Sequence, residues 1–258
     1  MTPVSLHYKE YGQGDNNLIV IHGFLGSLDN WHTLSTKWAE SGLHVFALDM
    51  RNHGKSPHTA EHNQQLMVED VLLFLKEHDI THTSIIGHSM GGKVAMRLAL
   101  QHPDKISKLI VADIAPRKYR SGAHDDVFKA IFNIDLKHIQ TRKDAEDAMK
   151  SYLGDFGTRQ FILKSLERVN NLFAWKFNIK TLYESYEEVI SGVELNLFNG
   201  CPTLIIRGGL SLYINERDVQ DILRLFPNAQ FQTIEQAGHW LHADQPEIFL
   251  KSVLDFVN

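Results

Sequence analysis

Six runs of strand length, rich in Val, Ile and Leu, recur along this chain of 258 residues, each ending at a turn or cap signal. They read LIVIHG (18–23), HVFALDM (44–50), SIIGHS (84–89), KLIVADI (108–114), PTLIIRGG (202–209) and AQFQTIEQAGH (229–239). Near-continuous apolar runs belong to strands buried on both faces, as in a parallel sheet; a sheet with one wet face alternates. Helical periodicity fills the gaps, as in QQLMVEDVLLFLKEH (64–78) and GGKVAMRLALQHP (91–103). In the first, Leu66, Val68, Val71, Leu72 and Leu75 favour one side, and Glu69, Asp70 and Lys76 the other. This alternation predicts an α/β fold: a mostly parallel central sheet with helices on both faces. The polar-alternating SLHYKEYG (5–12) predicts an antiparallel edge strand.

The rhythm breaks between Pro116 and Gly200, where helical patches at 124–139, 142–153, 158–169 and 179–191 replace strand runs. Phe128, Phe132, Tyr152, Phe156, Phe173, Trp175 and Phe177 make this stretch aromatic. Roughly 85 residues is too long for ordinary crossover loops. Residues 116–200 are therefore expected to be a helical cap insertion over the strand ends, with the core formed by 1–115 and 201–258.

Composition narrows the function. Hydrophobic residues at 43% and charged residues at 22% supply a core and argue against disorder. A net charge of −5 argues against nucleic acid or an anionic membrane as partner. The lone Cys201 forbids an intramolecular disulfide and suits a reducing compartment. The start MTPVSLHYKEYGQG lacks a secretory pattern, and no run approaches the roughly 18 apolar residues of a membrane helix. A soluble, cytoplasmic protein is the expectation. None of the fifteen histidines sits in HExxH or beside a cysteine pair, so packing or surface roles are expected and no metal site.

GHSMGGK at 87–93 fits two chemical templates. A phosphate-binding loop needs Ser or Thr after the lysine to ligate magnesium, and Val94 cannot. A nucleophile elbow needs a strand, a sharp turn and a helix with small residues beside the serine, and SIIGHSMGGKVAMRLAL supplies that order. Ser89 is then the nucleophile, and Gly87 and Gly91 permit the crowded turn. The Met90 amide, at the helix N-terminus, is placed to bind an oxyanion. HGFLG at 22–26 supplies a second donor, the Phe24 amide, with Leu25 the alternative. His239, after the final strand, can act as general base, while His242 is expected to be structural.

Together HGFLGS, DMRNHGKSPH, GHSMGGKVAM and VADIAP resemble the α/β-hydrolase superfamily over essentially the whole chain. Their order and spacing are similar to those of the bacterial YbfF-type esterases and the related mitochondrial abhydrolase-domain proteins. The resemblance implies hydrolysis of short to medium acyl esters, with acyl-CoA thioesters as a further substrate class. Acyl transfer to water through such a serine and histidine requires no metal or organic cofactor.

Many such hydrolases place the triad acid in a G-x-x-D turn after the strand equivalent to 203–207, but here that turn ends in Ser211. Glu216 and Asp218 follow as fallback acids. Asp113 is better placed, at the end of the strand beside the nucleophile strand, and the resemblance assigns it the acid's role. Arg51 and Asn52 are expected to organise their loop, and Lys93 to be solvated. Arg117, Lys118 and Arg120 would lie near the pocket entrance, either as a phosphate-attracting cluster or as a solvated loop. A Ser-His-Asp esterase is the reading. A carbon–carbon bond hydrolase, a cofactor-free haloperoxidase and a non-enzymatic small-molecule receptor of the same fold are the alternatives.

Overall fold

A computed structural model describes residues 2–193 and 199–258. The chain opens with β1 (Tyr8–Tyr11), β2 (Asn17–Ile21), α1 (His32–Glu40), β3 (His44–Leu48) and α2 (Gln64–Glu77). Next come β4 (Thr83–His88), α3 (Met90–Gln101) and β5 (Ile106–Ala112). An inserted stretch carries α4 (Asp125–Phe132), α5 (Arg142–Met149), α6 (Phe156–Lys164), β6 (Leu166–Val169), β7 (Leu172–Trp175), α7 (Ile179–Glu184) and α8 (Tyr186–Ile190). The chain closes with β8 (Thr203–Gly208), α9 (Glu216–Leu225), β9 (Ala229–Ile234), α10 (Leu241–Asp244) and α11 (Pro246–Val257).

Seven strands form one sheet in the order β1-β3-β2-β4-β5-β8-β9. Every neighbouring pair is parallel except β1 with β3, where Tyr8 lies opposite Leu48. The expected antiparallel edge is therefore present. Side chains on a strand alternate between faces, and the two cores divide accordingly. Ile19, Ile21, Ile85, Leu109 and Val111 pack on one face with Val71 of α2 and Val94 and Leu98 of α3. Leu18, Val20, Ile86, Ile110 and Ala112 pack on the other with Trp38 of α1 and Phe249 and Val253 of α11. Burying both faces is why these strands read as unbroken apolar runs; each fully buried Val, Leu or Ile contributes about 1.5–3 kcal/mol. No described helix is long and apolar enough to cross a membrane.

The inserted stretch is not wholly helical. The patch expected at 158–169 splits into α6 and β6, and β6 pairs antiparallel with β7 through Leu166 opposite Trp175 and Val169 opposite Leu172. Asn170 and Asn171, at φ 49° and 67°, form the two-residue turn between them. Two left-handed residues match the twist of a hairpin, and asparagine tolerates that conformation better than most side chains. The patch at 179–191 is likewise two short helices, α7 and α8. Residues 194–198 of the expected insertion lie outside the described residues.

Lys93 is not solvated. It is 1% exposed, and its Nζ donates to the carbonyls of Arg117 (2.9 Å), Ile190 (3.0 Å) and Ser191. It thereby fastens the inserted stretch to α3, and an ammonium with three donors matches three acceptors. Ser165 Oγ adds a second fastening by donating to the Leu25 carbonyl at 2.8 Å, and Asn178 N donates to the Asn52 carbonyl at 2.9 Å.

Candidate active site

β4 ends at His88 and α3 begins at Met90, so Ser89 alone makes the turn, at φ 52° and ψ −117°. Such a conformation costs about 1–3 kcal/mol and persists only where its surroundings impose it. Ser89 N donates to the Ala112 carbonyl at 3.1 Å, and Gly92 N donates to the Ser89 carbonyl at 2.9 Å. Crowding completes the constraint. A Cβ on Gly87 would lie 2.1 Å from the Gly91 carbonyl oxygen, and one on Gly91 would lie 2.6 Å from that of Ile21. Neither backbone can retreat, so both positions require glycine.

His239 stands on the loop after β9, with its Nε2 3.1 Å from Ser89 Oγ and its Nδ1 2.8 Å from Asp113 Oδ2. The carboxylate accepts from Nδ1–H, which leaves Nε2 to accept the serine proton. Tyr213 stacks on the imidazole with ring centres 3.6 Å apart and planes 12° from parallel. His88 Nε2 donates to the His239 carbonyl at 2.8 Å, holding the backbone of the same loop. Burial pushes the His88 pKa well below the ordinary histidine value, so that donor is a neutral ring.

Asp113 lies fully buried at the end of β5 and, like Ser89, has φ 52°. Its amide donates to the Ile206 carbonyl at 2.8 Å, and its Oδ1 accepts from Gly208 N at 3.1 Å. Ser211, where an aspartate was the usual expectation, donates its hydroxyl to Asp113 Oδ2. The fallback acids are occupied elsewhere. Asp218 accepts from Arg117 Nε and Asn215 N, both at 2.8 Å, and Glu216 pairs with Arg207 at 3.2 Å.

Phe24 and Met90 line the same cavity as Ser89. The Leu25 amide instead donates to His53 Nε2 at 3.2 Å, which removes it as the alternative oxyanion donor. His53 Nδ1 donates to the Arg51 carbonyl at 3.0 Å, and His22 Nε2 accepts from Met50 N at 3.0 Å. Burial lowers the pKa of both rings, consistent with the acceptor role of Nε2. Beneath them Arg51 makes two 2.6 Å contacts with Asp70, and Asn52 Nδ2 donates to the Glu61 carbonyl at 3.2 Å. The two residues brace their loop as expected.

Two cavities adjoin the serine and the histidine. Ser89 opens into one of about 520 Å³, walled by residues that include Ile114, Tyr119, Val189 and Ile190. His239 opens into one of about 280 Å³, with Leu153, Phe161, Ile162 and Trp240 in its walls. Arg117 and Arg120 line the larger cavity, but Arg117 is paired with Asp218 and Lys118 with Glu187 at 2.9 Å. His124, Tyr213 and Ser211 are site residues that the motifs did not reveal. Among the described residues, no group of three or more His, Cys, Asp or Glu side chains could hold a metal ion.

A parallel-sheet core with a serine on the strand–helix turn after β4 and a histidine after the last strand defines an α/β-hydrolase. The chain belongs to that family: the model described as "alpha/beta hydrolase fold" matches residues 16–158. It is 35% identical to the esterase YbfF of Escherichia coli, over 93% of this chain and 92% of that protein. Identity to the mouse sn-1-specific diacylglycerol lipase ABHD11 is also 35%, over 100% of this chain and 86% of that one. Among solved structures, a marine microorganism esterase matches with a TM-score of 0.93 at 38% identity, covering 98% of this chain and 99% of that one.

Proposed function

We propose that the protein is a serine esterase acting on short to medium acyl esters through an acyl-enzyme. The observation that carries this reading is the relay from Ser89 Oγ to His239 Nε2 (3.1 Å) and from His239 Nδ1 to Asp113 (2.8 Å) beside an apolar cavity. Ser89 attacks the ester carbonyl as His239 takes its proton. Asp113 holds the imidazole tautomer and stabilises its charged form. The amides of Phe24 and Met90 receive the oxyanion, each worth about 10²–10³ in rate. His239 then protonates the leaving alcohol and activates water against the acyl-enzyme. No metal or organic cofactor enters these steps. The insertion at 116–200 selects the substrate, because its residues wall both cavities. A cytoplasmic setting belongs to the same proposal and rests on the lone Cys201.

Coenzyme A thioesters are the second reading, carried by the basic run Arg117, Lys118 and Arg120. Two of the three cations have carboxylate partners, so Arg120 is the residue on which that reading turns. Arg120→Ala raises KM for acyl-CoA while sparing p-nitrophenyl esters if it holds, and changes both alike if it does not. The esterase reading itself is tested with a fluorophosphonate probe. Wild-type protein takes up the label and Ser89→Ala does not; unlabelled wild-type protein would favour the receptor alternative.

A further inference from the structure

The two cavities share a wall built from Phe24, Ala123, His124 and Tyr213. With Ser89 on one side and His239 on the other, the wall divides an ester into its two halves. The acyl carbon stays bonded to Ser89 Oγ, while the departing oxygen takes its proton from His239 Nε2. The acyl chain accordingly belongs in the larger cavity and the alcohol half in the smaller.

Polar side chains in the smaller cavity include His124, Asp126 and Thr158. Asp126 pairs with Lys129 at 3.2 Å, and the Thr158 hydroxyl is bonded to Asp155. His124 is differently disposed. Its Nδ1 meets the Tyr186 hydroxyl, and its ring packs edge-on against Phe24 with centres 5.7 Å apart. Among the described residues its Nε2 has no hydrogen-bond partner. Burial, and then the neighbouring His239, lower its pKa to about 4, so the ring is neutral at pH 7. A neutral Nε2 donates or accepts according to the tautomer, and a hydroxyl can answer either role.

We infer that His124, braced by Tyr186, is a specificity-determining residue that hydrogen-bonds a hydroxyl carried by the alcohol half of the substrate. The preferred substrates are then apolar acyl esters of alcohols bearing a further hydroxyl. This rests on the esterase reading.

Two esters of equal length test it: 2-hydroxyethyl octanoate and propyl octanoate, which differ by a hydroxyl against a methyl. One neutral hydrogen bond gives the wild-type protein a kcat/KM preference of about tenfold for the hydroxyethyl ester. That ratio falls toward one in His124→Phe and to an intermediate value in Tyr186→Phe. Fluorophosphonate labelling of each variant reports whether the elbow is intact. A wild-type ratio near one overturns the inference, as does a ratio unchanged in His124→Phe. Should His124→Phe fail to fold, an unchanged ratio in Tyr186→Phe overturns it. Wild-type protein that hydrolyses neither ester and takes up no probe overturns the esterase reading instead.

Discussion

Ser211 donates its hydroxyl to the same Asp113 oxygen that accepts from His239. The serine occupies the turn position where many hydrolases of this fold carry the acid, and here it hydrogen-bonds the carboxylate of Asp113, which follows β5. A graded series follows. Asp113→Asn removes the charge that stabilises the imidazolium and lowers kcat by about 10⁴-fold. Ser211→Ala removes only one donor from the carboxylate and lowers kcat by about 3–10-fold. Asp218→Asn leaves kcat within about threefold but costs about 1–3 kcal/mol in urea unfolding, because Asp218 serves Arg117 and the α9 cap. A larger kcat loss at Asp218 than at Asp113 would move the acid to the later loop.

Lys93 provides a stability test independent of chemistry. Burial lowers its pKa to about 7, and the three carbonyls offset that cost in the folded chain. Lys93→Met strands those acceptors and is expected to cost about 2–4 kcal/mol in chemical denaturation. A change below about 0.5 kcal/mol would mean the fastening contributes nothing measurable.

The buried histidines make the fold sensitive to mild acid. Burial lowers the pKa of His62 and of His242 to about 3 and of His124 to about 4, and holds His53 and His88 well below the ordinary range. The unfolded chain takes up these protons at about pH 6.5, while the folded chain takes them up only at lower pH. Stability is therefore present well above pH 6.5 and is lost as pH falls through and below that value, each ring adding to the slope. Thermal melts should show Tm dropping by about 10 °C or more between pH 6.5 and 5.5. A flat Tm across that interval contradicts the sign.

The strands and the elbow were legible because local rules specify them. Ile85 and Ile86 face opposite cores, so their strand cannot alternate in polarity, and Ser89 is flanked by glycines whose Cβ atoms would strike backbone. The β6–β7 hairpin carried a readable signal too, in the Asn170-Asn171 pair, but its short strands are half exposed and lack a continuous apolar run. Lys93 could not be read. Two of its acceptors, Ile190 and Ser191, lie 97 and 98 residues away in sequence, beyond any local pattern. His124 was hidden for a similar reason, since its partner Tyr186 is 62 residues on. Asp113 fell between these cases: its position at a strand end was visible, but the donors that hold its carboxylate come from β8 and the turn after it.

The Lys93 fastening also limits how far this enzyme scaffold is modular. Exchanging the inserted stretch for that of another hydrolase looks like a simple graft between two strand ends. Any donor segment must still bring three carbonyl oxygens to one point above α3, or the transplant leaves a buried lysine amine without acceptors inside the junction. Chimeras that also carry Lys93→Met are therefore expected to tolerate foreign insertions better than chimeras that keep the lysine.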